Sequence, residues 1–158
     1  MITDEVCARV QIQYIMALYA TSVDSGEVEG VVASFAPDAR LEVSSGGVMH
    51  GLEQIEAFYA RVIGPGRPDR ANGAPVPLLR HNLTTSRVDV ESDRLARGRT
   101  YFMSLSSFGL DHAGFYTDRF SRHGEAWLIQ DRTITVEWYA PGSWYERVRL
   151  PSVPAAAR

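Results

Sequence analysis

A chain of 158 residues with 45% hydrophobic and 22% charged residues suits one globular domain with room for a core and a pocket. The formal net charge of -3 comes without a dense basic stripe, which argues against a nucleic-acid partner, whose phosphates need clustered cations. All 16 basic residues are arginine, so Schiff-base chemistry is excluded for want of a lysine amine, and the arginine bias points to a bacterial source of high GC content.

In chain order, the opening MITDEVCARV has neither the basic nor the apolar region of a signal peptide. No apolar run approaches the length of a membrane span, so a cytoplasmic protein with no membrane partner is expected. Cys7 is the single cysteine and supplies neither an internal disulfide nor a metal cluster. Residues 4–23 form a predicted helix, with Val6, Val10, Tyr14 and Ala17 at helical spacing, joined by Ile15, Leu18 and Tyr19. It ends near Asp24-Ser25-Gly26, and a second helix over 28–35 is stopped by Ala36-Pro37-Asp38. Short strands at 40–43 and 48–51 flank the turn chemistry of 44–47. A third helix over 52–62 carries Ile55, Phe58, Tyr59 and Val62 on one stripe.

The stretch 64–77 is rich in Pro and Gly without a period, a long loop that could serve as a lid. Long strands follow at 79–90, 94–107, 114–122 and 126–139, separated by turn signals at 91–93 and 123–125. Residues 1–140 form the domain. The tail 141–158, with Trp144, Tyr145 and three prolines, packs on a neighbour or frays. Helices followed by runs of strands indicate α+β, a curved mixed or antiparallel sheet wrapped around three N-terminal helices with an internal pocket.

Period two fixes which strand residues share a face. Leu79, His81, Leu83 and Thr85 align on the first long strand, and Ala96, Gly98, Thr100, Phe102 and Ser104 on the second. Gly114, Tyr116, Asp118 and Phe120 align on the third. On the last, Leu128, Gln130, Arg132, Ile134 and Val136 oppose Trp127, Ile129, Asp131 and Glu137. The polar candidates for the hollow are His81, Tyr116, Asp118 and Arg132. Each has a plain structural reading too: His81 and Tyr116 as core, Arg132 paired with Asp118, Asp24 as a helix-ending turn residue. His112 and His123 flank the third strand at a spacing that fits no metal pattern, and no metal or other cofactor is expected.

The chain resembles the SnoaL-like branch of the NTF2-like superfamily over about residues 5–140. The segments that carry this include Val23-Asp24-Ser25-Gly26, Phe35-Ala36-Pro37-Asp38-Ala39 and Arg80-His81-Asn82-Leu83. Gly114-Phe115-Tyr116-Thr117-Asp118-Arg119-Phe120 and Trp127-Leu128-Ile129-Gln130-Asp131-Arg132 continue it in the same order. The resemblance implies a cone-shaped fold. It also implies, as in scytalone dehydratase and hexachlorocyclohexane dehydrochlorinase, a helix-end Asp paired with a strand His. Asp24 and His81 fall on those positions, and Arg132 on that of an arginine that completes the dehydrochlorinase site. The lysine of that enzyme maps near Tyr19, so that part of the site is not kept.

The expected chemistry is cofactor-independent proton transfer by a lyase, isomerase or cyclase on an apolar small molecule, in natural-product biosynthesis or catabolism. His81 would be the general base, Asp24 its orienter, and Arg132 and Tyr116 the groups that meet developing charge. Tyr19, Phe102, Ser104, Asp118, Ile134 and Val136 are the expected substrate contacts. A homodimer or homotrimer is implied. The alternatives are a non-catalytic binding or assembly subunit, marked by a filled cone or a solvent-facing Asp24, and an epoxide-opening enzyme, which would want an Asp-Arg-Asp set.

Overall fold

A computed structural model describes residues 3–44, 46–63, 78–107 and 109–148. In chain order its elements are α1 (Asp4–Ser25), α2 (Val28–Val32), β1 (Phe35–Val43), β2 (Gly47–His50), α3 (Gly51–Val62), β3 (Leu79–Val90), β4 (Leu95–Ser106), β5 (Gly109–His123), β6 (Ala126–Tyr139) and α4 (Trp144–Val148). The loop expected at 64–77 and the end of the tail lie outside the described residues. The strands make one six-stranded sheet in the order β2-β1-β6-β5-β4-β3. β1 runs parallel to β6 and every other pair is antiparallel, so the sheet is mixed. None of the described helices is long and apolar enough to cross a membrane.

α1 starts where the Thr3 hydroxyl accepts the Val6 N–H, with Asp4 and Glu5 in the first turn favouring the positive end of the helix. It buries Ala8, Ile12, Ile15, Met16, Tyr19, Ala20 and Val23 in the core. The alternative stripe of Val6, Val10 and Tyr14 faces outward, with Tyr14 66% exposed. Two apolar stripes compete on this helix, and packing against the sheet selects between them. The helix ends at Gly26, whose φ of 76° is left-handed and whose N–H caps the carbonyls of Ser22 and Val23. Gly26→Ala should destabilise the fold by about 1–2 kcal/mol in urea unfolding, because a Cβ is strained in that region. The turn places Asp24 at the helix end, facing β3.

α2 is shorter than the sequence pattern predicts. Phe35 already pairs with Ile129 of β6, and the Ser34 carbonyl accepts the Ile129 N–H at 2.9 Å. Pro37 falls where the β1–β6 register shifts between Phe35 and Arg40, so it takes no ladder bond and interrupts a strand, not a helix end.

Four bulges interrupt the ladders of β3 to β6, and three of them correct the expected faces. On β3, Leu83 pairs with Phe102 but Ser86 with Thr100, so the inward set passes from Leu79, His81 and Leu83 to Val88 and Val90; Thr85 is exposed. On β6, Arg119 pairs with Asp131 but Phe120 with Ile129, which leaves Gln130 extra. Trp127 and Ile129 therefore lie buried on the same side as Arg132, not opposite it. The third bulge, on β5, brings Asp111 and His112 to the interior together.

Candidate active site

Asp24 at the end of α1 and His81 on β3 meet across the open end of the cone. His81 Nδ1 lies 2.6 Å from Asp24 Oδ1. The His81 backbone N–H also donates to both carboxylate oxygens, at 3.1 and 2.9 Å. An ionised carboxylate can only accept, so the ring proton sits on Nδ1 and the lone pair on Nε2. The two side chains are 9% and 11% exposed, sheltered yet reachable. The backbone bonds hold Asp24 in place whatever the ring does.

His81 borders a partly open cavity of about 90 Å³. Phe102, Tyr116, Ile134 and Val136 from the sheet, Tyr19 and Val23 from α1, and Phe58 and Tyr59 from α3 form half of its wall. Trp144 and Tyr145 of α4 close one side. His112 lies beside His81, their rings 5.7 Å apart. Its Nδ1 is 2.9 Å from the buried Asp111 carboxylate. The site thus holds two imidazoles, each with Nδ1 committed to a carboxylate. Among the described residues neither Nε2 has a protein partner.

The Tyr19 and Tyr59 hydroxyls are 2.5 Å apart. Burial pushes the phenols of Tyr19, Tyr59 and Tyr116 above their ordinary pKa, against the pull of the Arg132 cation. They are neutral proton donors near pH 7. Arg132 is fully buried beneath two of them, its guanidinium carbon 4.2 Å from the Tyr19 ring centre and 4.3 Å from that of Tyr116. Asp118, its partner across the β5–β6 ladder, holds it through Nε–Oδ1 and Nη2–Oδ2 bonds of 2.8 Å each. Burial raises the Asp118 pKa and works against the guanidinium charge too, but the carboxylate raises the Arg132 pKa in turn, and the two-bond geometry is that of an ion pair.

A family model described as a SnoaL-like domain matches residues 4–133. The chain belongs to the SnoaL-like family. Solved structures share its fold. One, provisionally assigned as a scytalone dehydratase from Novosphingobium aromaticivorans, is 15% identical over 99% of this chain and 100% of its own, with a TM-score of 0.74. A LinA-type3 hexachlorocyclohexane dehydrochlorinase from Novosphingobium barchaimii LL02 is 18% identical over 87% of this chain and 91% of its own, TM-score 0.70. A protein of unknown function from Nostoc punctiforme with a cystatin-like fold is 18% identical over 82% of this chain and 90% of its own, TM-score 0.67.

Of the residues singled out from the sequence, this SnoaL-like domain brings Tyr19, His81, Phe102, Tyr116, Ile134 and Val136 to the cavity wall, with Asp24 directly behind His81. Arg132, Asp118 and Ser104 are outside that wall; the first two form the ionic layer under the tyrosines, and Ser104 is fully buried between His81 and His112 in the ladder. Glu137 is exposed, the extra residue where Ala113 pairs with Trp138 but Gly114 with Val136. Sequence reasoning missed His112, Trp144 and Tyr145. The first lay just outside the strand predicted to start at 114, which runs back to Gly109, and the other two sat in a segment read as a tail.

Proposed function

We propose that this SnoaL-like protein is a cofactor-independent acid–base enzyme, a lyase, isomerase or cyclase acting on an uncharged, largely apolar small molecule of biosynthesis or catabolism. The observation that carries this is the 2.6 Å Asp24–His81 contact beside an open apolar cavity. His81 Nε2 takes a proton from a carbon next to an activating group. Asp24, accepting Nδ1–H, stabilises the imidazolium as it forms. Charge developing on the substrate oxygen or leaving group meets the phenolic hydroxyls of Tyr19, Tyr59 or Tyr116. The buried Arg132 cation lies behind Tyr19 and Tyr116 and makes them better donors than their burial alone would allow.

Among the described residues no Asp, Glu or Arg side chain lines the cavity, which favours a neutral substrate, since an ion would lose its hydration without a partner. A cavity that side chains leave unfilled and the bonded Asp24 favour this reading over a non-catalytic subunit. An epoxide-opening site is disfavoured because Arg132 and Asp118 are sealed beneath the tyrosines.

The test is proton exchange, which needs no knowledge of the product. Neutral ring ketones and halogenated or hydroxylated rings are incubated with the protein in D2O and followed by NMR. Expected is deuterium uptake or elimination at an activated carbon with the wild type. Asp24→Asn should slow it on the order of 100-fold. Equal rates in Asp24→Asn and wild type would remove the dyad from the mechanism.

A further inference from the structure

We propose that Asp111 is a positioning residue: its one carboxylate both orients His112 and clasps α4, so that the cavity wall and the second imidazole close as a unit. The catalytic meaning of this clasp rests on the acid–base reading above; its physical content does not.

The clasp begins with a bulge. Leu105 pairs with Leu110 and Ser104 with His112, so Asp111 is the extra residue of β5. Two consecutive side chains thereby enter the interior, which alternation alone forbids. Asp111 is 0% exposed. A carboxylate there must be fully bonded to remain, and besides the Ser106 side chain three donors reach it. They are His112 Nδ1–H at 2.9 Å and Tyr145 N–H at 3.1 Å, both to Oδ1, and Trp144 N–H at 2.8 Å to Oδ2. Burial works against the anion, but hydrogen bonds from His112, Trp144, Tyr145 and Ser106 together hold its pKa below the ordinary value. Asp111 is therefore ionised, and an ionised Asp111 fixes the Nδ1–H tautomer of His112.

The same three donors join the wall to the ring. Tyr145 stacks on His112 at 4.8 Å and 27°, Trp144 at 6.2 Å and 26°, and all three side chains line the cavity. With five residues, α4 is too short to persist without such anchoring. If the clasp opens, Trp144 and Tyr145 lift off and water reaches His112.

This makes closure sensitive to pH. Closed, His112 has its pKa lowered to about 4, by burial first and by neighbouring His81, against the pull of Asp111. Open, it returns toward 6.5, the ordinary value. The groups facing it are Asp111 on its own strand and His81 on β3, with Asp24 behind. Tyr139 on β6 is its ladder partner, and α4 adds Tyr145, with Glu146 and Arg147 beyond. A lowered pKa means that protonation favours the open form. Closure is complete above about pH 6.5 and weakens by up to about tenfold per unit as pH falls from there toward 4.

The test follows the imidazole and indole NMR signals of the full chain against pH, with no substrate present. In the wild type the Trp144 indole signal should move with the same midpoint as His112, well below 6.5, and His112→Gln should abolish that transition. Asp111→Ala should raise the His112 midpoint toward 6.5, because the clasp opens. If Asp111 were merely a local ion-pair partner in a site that stays closed, its loss would lower the midpoint instead, and that result overturns the proposal. Should Asp111→Ala fail to fold, the wild type decides: a Trp144 signal indifferent to His112 titration overturns it equally. These signals are read in the wild-type dyad with no substrate or turnover, whereas the acid–base reading is judged by proton exchange, so failure of the clasp and failure of the acid–base reading are distinguishable.

Discussion

His81→Asn should lower turnover by about 100- to 10,000-fold while leaving the unfolding midpoint nearly unchanged. The Asn side-chain amide overlays Nδ1, so it keeps a donor toward Asp24 while deleting Nε2, the atom assigned to the proton. The two bonds from the backbone N–H of residue 81 to Asp24 do not involve the ring and persist. The α1–β3 junction is therefore preserved, and the variant isolates the chemistry from the fold. Single-turnover rates, or the D2O exchange described above, provide the readout beside a urea curve monitored by circular dichroism. Turnover within a few-fold of wild type would transfer the role of base elsewhere, with His112 the next imidazole in the cavity. A collapse of stability together with activity would instead make His81 a structural residue.

His81 was legible in the sequence because alternation holds from Leu79 to Leu83, ahead of the β3 bulge. The helix end at Asp24 was legible from Ser25-Gly26. The link between the two was not, because 57 residues separate them and no periodicity spans that distance; the family resemblance supplied it. His112 was invisible for a different reason. It shares the inward parity of Gly114 and Tyr116, but the predicted strand starts at 114 whereas the ladder runs back to Gly109; the bulge, which leaves no compositional mark, is what adds Asp111. Tyr59 was placed correctly on a buried helical stripe, but its hydroxyl contact with Tyr19 depends on how α3 crosses α1. Arg132 illustrates the limit of analogy. The resemblance predicts a cation in the cavity, whereas Asp118, directly across the ladder, draws the guanidinium down under the tyrosine rings.

That buried pair leads to the largest expected effect on stability. Asp118→Ala strands a guanidinium that is fully buried and whose Nη1 already lacks a partner, and should destabilise the protein by about 3–5 kcal/mol. Replacing both members together, Asp118→Leu with Arg132→Met, removes the stranded charge and restores apolar packing. The double variant should recover most of the loss, because a buried ion pair seldom outperforms an apolar pair of similar volume. Urea unfolding of the two single variants and the double variant gives the coupling directly. Additive losses would mean that the side chains act by shape and not as a pair. Activity then divides the two roles of Arg132. If it serves the core alone, the stable double variant turns over normally. If its cation sharpens Tyr19 and Tyr116 as donors, the double variant folds yet turns over slowly, and the tyrosine pKa values rise further, since the cation that opposed their burial is gone.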